Sequence, residues 1–460
     1  MSFEMICASV QGASHIRKNI PCEDYGMKYE NEHCRIFVLG DGHGDTNCPR
    51  SSIGSEYVCK TAVECLCEFE KNIRECSWTE KIFDPKEAEA LVRQLIRSIV
   101  GKWSEKVSEE YSSHPLSEEE IGGLSEEYAL KYKSGQRIGH IYGTTLIAGL
   151  QTDRYLLLIH QGDGRCVAFD KNGDPSQPVP WDEKCMANIT TSVCDDDAVS
   201  RCRYNVIDMS ENPVIACFSG SDGVEDSFSS FDSMYSFYRM LIKRICEDGA
   251  AETEKYLMEY LPEFSAKGSA DDTTICGIID IETAKEKLEK LSLDSETASL
   301  RDTLKNAEER IPQMEGKLNY LKSQCDKIRN QISQIETDRP EIKEMKNRMA
   351  ELQKERGNVY RCYLKSERTL IYEEYISIWD SLIELSNYKN KLENIDCAIN
   401  IIQNQISSVS KKVSNELNTR LAEAEKEYTE YRKKYEEIVL IKTTSEKRLS
   451  ELMDTHNNQE

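Results

Sequence analysis

The sequence predicts an α+β domain over residues 1–281, followed by a long α-helical coiled-coil region over residues 282–460. Three observations lead to this division. The chain has 460 residues, which is more than a single hydrophobic core usually holds. Its first part alternates short apolar runs with helical patterns, whereas its second part repeats apolar residues at heptad spacing. We therefore expect two structural units of different type.

Short apolar runs bounded by Gly, Asp or Pro predict the strands of the first domain. These runs are RIFVLG, TTLIAGL, RYLLLIH, PVIACFSG and TTICGIID. Because they are almost wholly apolar, their strands should be buried on both faces. Helical patterns lie between several of them, for example PKEAEALVRQLIRSIVGKW. The sequence therefore predicts buried sheets that are covered by helices and carry polar loops at the strand ends.

Two long heptad runs predict the coiled coil. Apolar residues recur at alternating steps of four and three from Leu300 to Ile335, and again from Leu385 to Ile438 with one slip of register after Val413. This spacing keeps one apolar stripe on one side of a supercoiled helix. The two runs could fold back as an antiparallel hairpin or pair with a second copy of the chain, and the sequence leaves both arrangements open.

Breaks in these helices are expected near residues 312, 340 and 357. Pro312 lacks the backbone N–H that continues a helix, so it should kink or split the helix near that point. The residues around Pro340 are typical of a helix end followed by a new helix start. Gly357 is a further expected bend.

The charge balance and the lack of long apolar segments limit the expected partners and location. The formal net charge is -23, with 82 acidic against 59 basic residues. Phosphates would repel such a chain, so we expect binding to neither nucleic acid nor membrane. No apolar stretch approaches the roughly 20 residues that span a bilayer. The 18 cysteines are scattered without zinc-type spacing, so we expect a cytoplasmic protein with reduced thiols.

Acidic residues stand at the ends of several predicted strands, mostly beside a glycine. They are Glu23, Asp24, Asp41, Asp163, Asp222, Asp226, Asp271 and Asp272. Each alone could be an ordinary turn or capping residue, but that explanation is poor for the whole set. Converging carboxylates with few nearby Lys or Arg residues indicate hard divalent cations, Mg²⁺ or Mn²⁺. Two such ions about 3.5–4 Å apart could activate a water and hold a phosphoryl group.

The order and surroundings of these residues resemble the metal-dependent PPM-type (type 2C) protein serine/threonine phosphatases. Five motifs carry the resemblance over about residues 5–280, in that family's order. They are VLGDGHG, YGTTLIAGL, GDGR, SGSDGVED and GSADDTTICGII. The variants of these motifs in this chain, which contain SH, PCED and GDG, resemble those of a bacterial branch of the family. The resemblance implies a four-layer α-β-β-α sandwich of two packed β-sheets flanked by helices, with metals in a cleft at one end.

The resemblance also implies the main metal ligands. Asp41 would bridge two Mn²⁺ or Mg²⁺ ions, and the Gly42 carbonyl would bind one of them. Asp222 and Asp271 would bind the other ion. These four positions would therefore form the centre of the metal site.

Four more acidic positions match supporting residues of the family. Asp163 and Asp226, together with Asp222, match the residues that hold a weaker third metal ion. Glu23 and Asp24 would hold waters and orient the metal ligands. Asp272 stands where many family members have Asn, a change that the bacterial branch also shows.

His43 matches the residue proposed in this family as the general acid, which would protonate the departing serine or threonine oxygen. The nucleophile would be a metal-bridging water, with no phosphoenzyme intermediate. The resemblance therefore implies a phosphoprotein phosphatase in cellular signalling, with the coiled coil for partner binding, self-association or regulation. Two alternatives stay open. One is a catalytically weak, phosphatase-like scaffold that acts through its coiled coil, and the other is a hydrolase of small phosphoesters on the same fold.

The sequence departs from the family at the arginine that clamps the substrate phosphate. Most members have it four residues before the Glu of the Glu-Asp pair, where this chain has Asn19. Arg17 and Lys18 lie nearby and are the candidate phosphate-binding residues, although Lys would not reproduce a bidentate clamp. We therefore expect altered phosphate binding rather than lost activity.

Three other histidines and one loop lie near the motifs. His140 and His160 flank predicted strands and are expected to be packing or surface residues. His15 could point toward the cleft, but the sequence gives it no role. The segment over residues 186–204 occupies the position of the family's flap, which tunes substrate access.

Overall fold

The structure, a computed structural model, describes residues 3–185, 189–372 and 378–457. It contains two compact units. The first runs to Asp302 and includes the residues from Glu451 onward, and the second spans Thr303–Ser450. The predicted domain boundary after residue 281 stays a prediction. The first unit extends beyond that point because Leu291 is fully buried in its core.

The strands of the first unit form two sheets. Within the described residues the strands are β1 Phe3–Val10, β2 Tyr25–Glu30, β3 Arg35–Gly40, β4 Leu146–Gln151, β5 Tyr155–Gln161, β6 Arg165–Asp170, β7 Pro175–Ser176, β8 Arg203–Asp208, β9 Val214–Gly220 and β10 Thr273–Asp280. One sheet has the order β1-β10-β9-β6-β7 and the other β2-β3-β4-β5-β8. All neighbouring pairs are antiparallel. The five apolar runs of the sequence correspond to β3, β4, β5, β9 and β10.

Helices cover the sheets and make up nearly all of the second unit. In the described residues they are α1 Ala13–Lys18, α2 Ser51–Glu75, α3 Pro85–Ser113, α4 Glu118–Gly123, α5 Glu126–Lys133, α6 Ala198–Arg201, α7 Asp222–Glu225, α8 Phe231–Asp248, α9 Ala250–Lys267, α10 Ile281–Glu286, α11 Leu288–Ser333, α12 Ile335–Asp338, α13 Pro340–Tyr372 and α14 Ile378–Asn457. Short 3₁₀ helices span Thr79–Phe83 and Ile138–Tyr142. No helix in the described ranges combines the length and apolar character that a membrane crossing requires.

The first unit has the predicted four layers. Side chains alternate along β3, so that Phe37 and Leu39 pack between the two sheets while Ile36 and Val38 pack toward α2 and α3. On the other side, α8 and α9 pack on the sheet that contains β1, β9 and β10, for example through Leu241. Burying each such aliphatic side chain stabilises the fold by about 1.5–3 kcal/mol. The α-β-β-α sandwich predicted from the resemblance is confirmed.

The antiparallel register brings the ends of distant strands to one edge of the sandwich. Tyr25 at the start of β2 pairs with Gly40 at the end of β3. In the other sheet, Gly220 at the end of β9 pairs with Ile275 near the start of β10. The residues that follow β3 and β9 and precede β2 and β10 therefore meet at this edge, and these are the acidic motifs of the sequence.

The second unit is an antiparallel helical hairpin. Residues farther along α11 and α13 contact residues nearer the start of α14. Tyr435 donates a hydrogen bond to Glu315 (2.7 Å), and farther along α11 Arg329 forms an ion pair with Glu425 (2.6 Å). Its apolar stripe is buried in two clusters, one of which contains Ile342. Of the two arrangements that the sequence leaves open, the structure has the chain folding back on itself.

The expected helix breaks need correction. The helix ends at Asp338 and a new one starts at Pro340, but α11 continues through Pro312 and α13 continues through Gly357. Both residues are exposed, and the apolar stripe on the opposite face of each helix stays packed. At Pro312, water can hydrogen-bond to the carbonyl group that has lost its N–H donor, so the helix continues. Tertiary packing therefore outweighs the local preference at residues 312 and 357.

Replacing Ile342 with Ala should destabilise the hairpin. Ile342 is fully buried between residues of α11 and α14, so truncation removes apolar contacts and leaves a cavity worth about 2–4 kcal/mol. Urea unfolding followed by far-UV circular dichroism measures the effect. Leu440→Ala is the matched control, because Leu440 is 66% exposed in the same hairpin. Equal losses in the two variants would contradict this packing.

Candidate active site

A cleft of about 860 Å³ opens at the edge where the strand ends meet. It is lined by all the residues that the resemblance assigns to metal binding and catalysis, together with Asp272: Glu23, Asp24, Asp41, Gly42, His43, Asp163, Asp222, Asp226, Asp271 and Asp272. The chain thus collects eight carboxylates from five separate segments in one place. The strand register brings these segments to one edge, and local elements such as α7, which carries Asp222 and has Asp226 as its C-cap, then place the individual side chains.

Asp41 is held by its backbone at the end of β3. Its N–H donates to the Thr145 side chain (3.1 Å), and its carbonyl accepts from the Thr145 N–H (2.8 Å). The next residue, Gly42, donates its N–H to the Glu23 carbonyl (3.1 Å). A Cβ on Gly42 would lie 2.6 Å from that carbonyl oxygen, so only glycine allows this approach. These contacts fix Asp41 and Glu23 beside each other.

Asp272 organises the opposite wall of the cleft. It is buried, and its two oxygens accept hydrogen bonds from the Gly12 N–H (2.6 Å), the Glu23 N–H (2.6 Å) and the His15 ring (2.9 Å). An Asn at this position has only one side-chain oxygen, so it could not accept at both sites. Asp272 therefore ties β10 to the segment before β2, while the half-exposed side chain of the neighbouring Asp271 faces the cleft.

The carboxylates are too close together and too buried to carry their charges unaided. Burial raises the pKa of Asp41, and repulsion from Asp222 and Asp24 raises it further. Burial also raises the pKa of Asp222 to about 7, with contributions from Asp163 and Asp271. A desolvated carboxylate among others is unstable as an anion unless a cation compensates it.

The donor set of the cleft fits divalent cations. Within the described part of the chain, no Lys or Arg side chain lines the cleft. One oxygen of Asp24, Oδ2, is buried without a hydrogen-bond partner. Carboxylate and carbonyl oxygens are the ligands that Mg²⁺ and Mn²⁺ prefer. The site therefore has the composition of a metal centre for hard cations.

His43 lines the same cleft as the carboxylate cluster. Its backbone N–H donates to the Gly143 carbonyl (3.1 Å), which links it to the start of the segment that carries Thr145. Burial lowers the pKa of His43, and the carboxylates of Asp163 and Asp195 oppose that shift. The imidazole thus lines the cleft, where burial outweighs the nearby carboxylates and shifts its pKa toward the neutral form.

Arg17 and Lys18 do not reach the cleft. Both are exposed on α1, where residues follow one another at about 100° around the axis, so that the buried His15 takes the inward direction and the two cations point elsewhere. Asn19 ends α1 in the left-handed conformation (φ 56°, ψ 39°), which Asn adopts more readily than Arg. The geometry does not support their predicted phosphate-binding role, because the short helix turns them away.

Two histidines to which the sequence analysis gave no role line the cleft. His15 is only 8% exposed and contacts three acidic residues, and its signal was its position just before the PCED motif. His140 lines the cleft beside Cys194 and Asp195 rather than packing in the interior. His160 is buried in β5, as expected for a packing residue.

The segment expected to act as a flap contributes to the same wall. Ile189, Thr190 and Ser192 line the cleft together with Cys194 and Asp195. Residues 186–188 of this segment lie outside the described residues. The part that the structure describes therefore stands where it can contact a bound substrate.

Comparison with known proteins agrees with this geometry. The family model described as "Protein phosphatase 2C" matches residues 11–261. This range contains the segments that supply Glu23, Asp41, Asp163 and Asp222 to the cleft. A search of the curated proteins found no match.

Solved structures of bacterial phosphatases are also similar to this chain. The catalytic domain of the serine/threonine phosphatase PstP, in complex with two manganese ions, is 14% identical, with 60% of this chain and 97% of that chain covered at a TM-score of 0.35. Stp1 from Staphylococcus aureus is 15% identical, with 61% and 96% covered at a TM-score of 0.36. PppA of Pseudomonas aeruginosa is 14% identical, with 61% and 98% covered at a TM-score of 0.38.

Proposed function

Because the chain belongs to the protein phosphatase 2C family, it is a phosphoprotein phosphatase, and we propose that it hydrolyses phosphoserine and phosphothreonine with the help of divalent metal ions. The observation that carries this proposal is the cleft itself, in which the eight carboxylates of the acidic motifs converge and which no Lys or Arg side chain of the described residues lines. Such a site is stable in its ionised form only with bound cations.

The residues present would hold two Mn²⁺ or Mg²⁺ ions. Asp41 would bridge them, the Gly42 carbonyl would bind one, and Asp222 with Asp271 would bind the other. When bound, such a pair would lower the pKa of a water, promote its direct attack on phosphorus and neutralise the phosphoryl oxygens. The fixed backbone of Asp41, held by Thr145, gives this set the preorganisation that catalysis needs.

The remaining acidic residues would support this centre. Glu23 is held by its hydrogen bonds to Asp272 and to the Ser51 hydroxyl (2.6 Å), so its carboxylate can orient a water. Asp24 would act in the same way. Asp163 and Asp226, on the side of the cleft that also holds Asp222, would bind a weaker third ion.

His43 would act as the general acid. A serine or threonine alkoxide is a poor leaving group, so protonation of the departing oxygen lowers the barrier. The imidazole lies at the cleft beside Asp41 and Gly42, and the backbone bond to Gly143 sets its position. We assign this role to His43 because it follows Asp41 and Gly42 directly in the chain and lines the same cleft.

The helical hairpin is proposed to serve partner binding or self-association. It exposes large apolar side chains that its own packing does not cover, among them Tyr320 (62% exposed) and Ile401 (52%). Light scattering of the purified chain measures its mass in solution. Twice the chain mass of 52.7 kDa would support self-association, and the single-chain mass would favour a separate partner.

Hydrolysis assays test the proposed activity. The full chain is incubated with p-nitrophenyl phosphate or a phosphothreonine peptide, in Mn²⁺, Mg²⁺ or chelator. We expect metal-dependent turnover that falls on the order of 10³-fold in chelator and in Asp222→Asn, because both remove the charge compensation of the transition state. Asp196→Asn is the matched control, since Asp196 is 96% exposed and does not line the cleft.

The two substrates distinguish protein phosphatase activity from hydrolysis of small phosphoesters. Turnover of the peptide in Mn²⁺ or Mg²⁺ supports the proposal. Turnover of small esters alone would replace it by a small-molecule phosphatase. The lack of any metal-dependent turnover would leave the scaffold alternative.

A further inference from the structure

We propose that His15 supplies a nitrogen ligand, Nε2, to the metal centre, which makes it a mixed nitrogen and oxygen site that favours transition metals over Mg²⁺. This inference rests on the proposed metal-dependent function. It adds a ligand that the sequence motifs do not assign, and it names the class of cation that the site selects.

The position of the ring is the first support. His15 lies on the buried side of α1, and its Nε2 atom is 3.7 Å from Glu23 Oε2 and 3.7 Å from Asp271 Oδ1. Both distances are too long for a hydrogen bond. Two atoms bound to one divalent ion, each about 2.1 Å from it, lie between about 3.0 and 4.2 Å apart. The spacing of Nε2 from Asp271 Oδ1 therefore suits two ligands that share a cation better than two direct partners.

The hydrogen bond on the other ring nitrogen is the second support. Nδ1 lies 2.9 Å from Asp272 Oδ2, and Asp272 also accepts from the Gly12 and Glu23 backbones. A carboxylate that only accepts requires the proton on Nδ1, which leaves the Nε2 lone pair free. Histidines that bind metals commonly donate their second N–H to a carboxylate in this way.

This geometry also separates the roles of the two neighbouring acidic residues. The oxygens of Asp272 are engaged by three donors and the residue is 3% exposed, so it orients His15 and is not itself a ligand. The Asp271 side chain is 50% exposed and faces the cleft. The pair thus consists of one ligand, Asp271, and one residue that positions a second ligand, His15.

An imidazole ligand changes the metal preference of the site. Mg²⁺ and Mn²⁺ both prefer oxygen ligands, but Mn²⁺, unlike Mg²⁺, is a transition metal and also binds imidazole. We therefore expect Mn²⁺ to bind more tightly than Mg²⁺, and this preference to depend on His15. The loss of the imidazole ligand should weaken Mn²⁺ binding by at least as much as the loss of an outer-shell partner does, on the order of tenfold or more, while Mg²⁺ binding changes little.

Electron spin-echo envelope modulation of Mn²⁺ bound to the full chain tests the bond directly. A nitrogen bonded to Mn²⁺ gives a modulation that changes when histidine is labelled with nitrogen-15, and this measurement needs no variant. We expect that signal in the native chain and its loss in His15→Asn, whose amide can still donate to Asp272. His140→Asn is the matched control, since His140 lines the same cleft but lies apart from Glu23 and Asp271.

The results separate this inference from the proposed function. Phosphatase activity and Mn²⁺ binding without a histidine-nitrogen signal would overturn the role of His15 and leave the function intact. A signal that persists in His15→Asn would overturn it as well. If neither Mn²⁺ binding nor turnover is found, the proposed function itself fails, and the inference fails with it.

Discussion

Replacing Asp41 with Asn should abolish turnover and, in the same protein, raise the stability of the metal-free chain. Asp41 is the carboxylate proposed to bridge both ions, so its loss should reduce kcat/KM by on the order of 10³-fold or more. The stability change has the opposite sign because Asp41 is desolvated and faces the charges of Asp222 and Asp24. Removing one of these like charges should stabilise the metal-free fold by about 1–3 kcal/mol.

Calorimetry in chelator and in Mn²⁺ measures both halves of this prediction. The native chain should gain stability on adding Mn²⁺, since a ligand that binds only the folded state stabilises it. Asp41→Asn should be more stable than the native chain in chelator and gain little from Mn²⁺. Asp196→Asn, which removes the same charge from an exposed site, should match the native chain. Lower stability of Asp41→Asn in chelator would contradict the charge repulsion inferred here.

Much of the cleft was predictable because its acidic residues stand directly beside strands. Each apolar run that ends in Asp and Gly must place the Asp at a sheet edge, and this holds for Asp41 and Asp222 whatever the topology. That these edges coincide is set by strand pairing such as Tyr25 with Gly40, which no local pattern encodes. The family resemblance supplied that information.

His15 shows why the rest was not predictable. The acidic residues beside it, Asp271 and Asp272, are more than 250 positions away, and their contacts with His15 depend on the packing of α1 against the start of β10. Likewise, the outward direction of Arg17 depends on the phase of a six-residue helix. A shift of one residue in that helix would exchange which side chain faces the cleft.

The hairpin illustrates the limits of periodicity. A heptad stripe is equally suited to an intramolecular or an intermolecular partner, so only contacts such as that of Arg329 with Glu425 decide between them. At Pro312 and Gly357 the local residue preference predicted helix breaks, but the helices continue there because their apolar face is continuous. In both cases the deciding free energy lies in tertiary packing.

Gly54→Ala should destabilise the first unit by several kcal/mol, although helix propensity predicts the opposite. Gly54 lies inside α2, where Ala is usually favoured by about 1 kcal/mol. A Cβ added here would overlap the carbonyl oxygen of Tyr142, a backbone atom that cannot move away like a flexible side chain. The Gly54 carbonyl also accepts a hydrogen bond from the buried Trp103 ring (3.0 Å), so shifting α2 breaks a second contact.

The same substitution should impair the active site. Tyr142 directly precedes Gly143, whose carbonyl accepts a hydrogen bond from the His43 N–H. Thr145, which holds the Asp41 backbone, lies two residues farther along the same segment. Displacing this segment therefore moves the proposed general acid and the bridging carboxylate together, and a small misplacement can lower kcat on the order of 10²-fold.

Gly101→Ala is the matched control for this pair of effects. Gly101 is exposed in α3 and nothing lies within 4 Å of the added Cβ, so Ala should stabilise the helix by up to about 1 kcal/mol and leave turnover unchanged. Urea unfolding should show a loss of stability in Gly54→Ala and a small gain in Gly101→Ala. Phosphopeptide hydrolysis should fall only in Gly54→Ala, if the close approach of α2 to Tyr142 positions the residues of the cleft. Equal stabilisation by both substitutions would show that α2 can move away from Tyr142 without cost, and that Asp41 and His43 are positioned by their own loop alone.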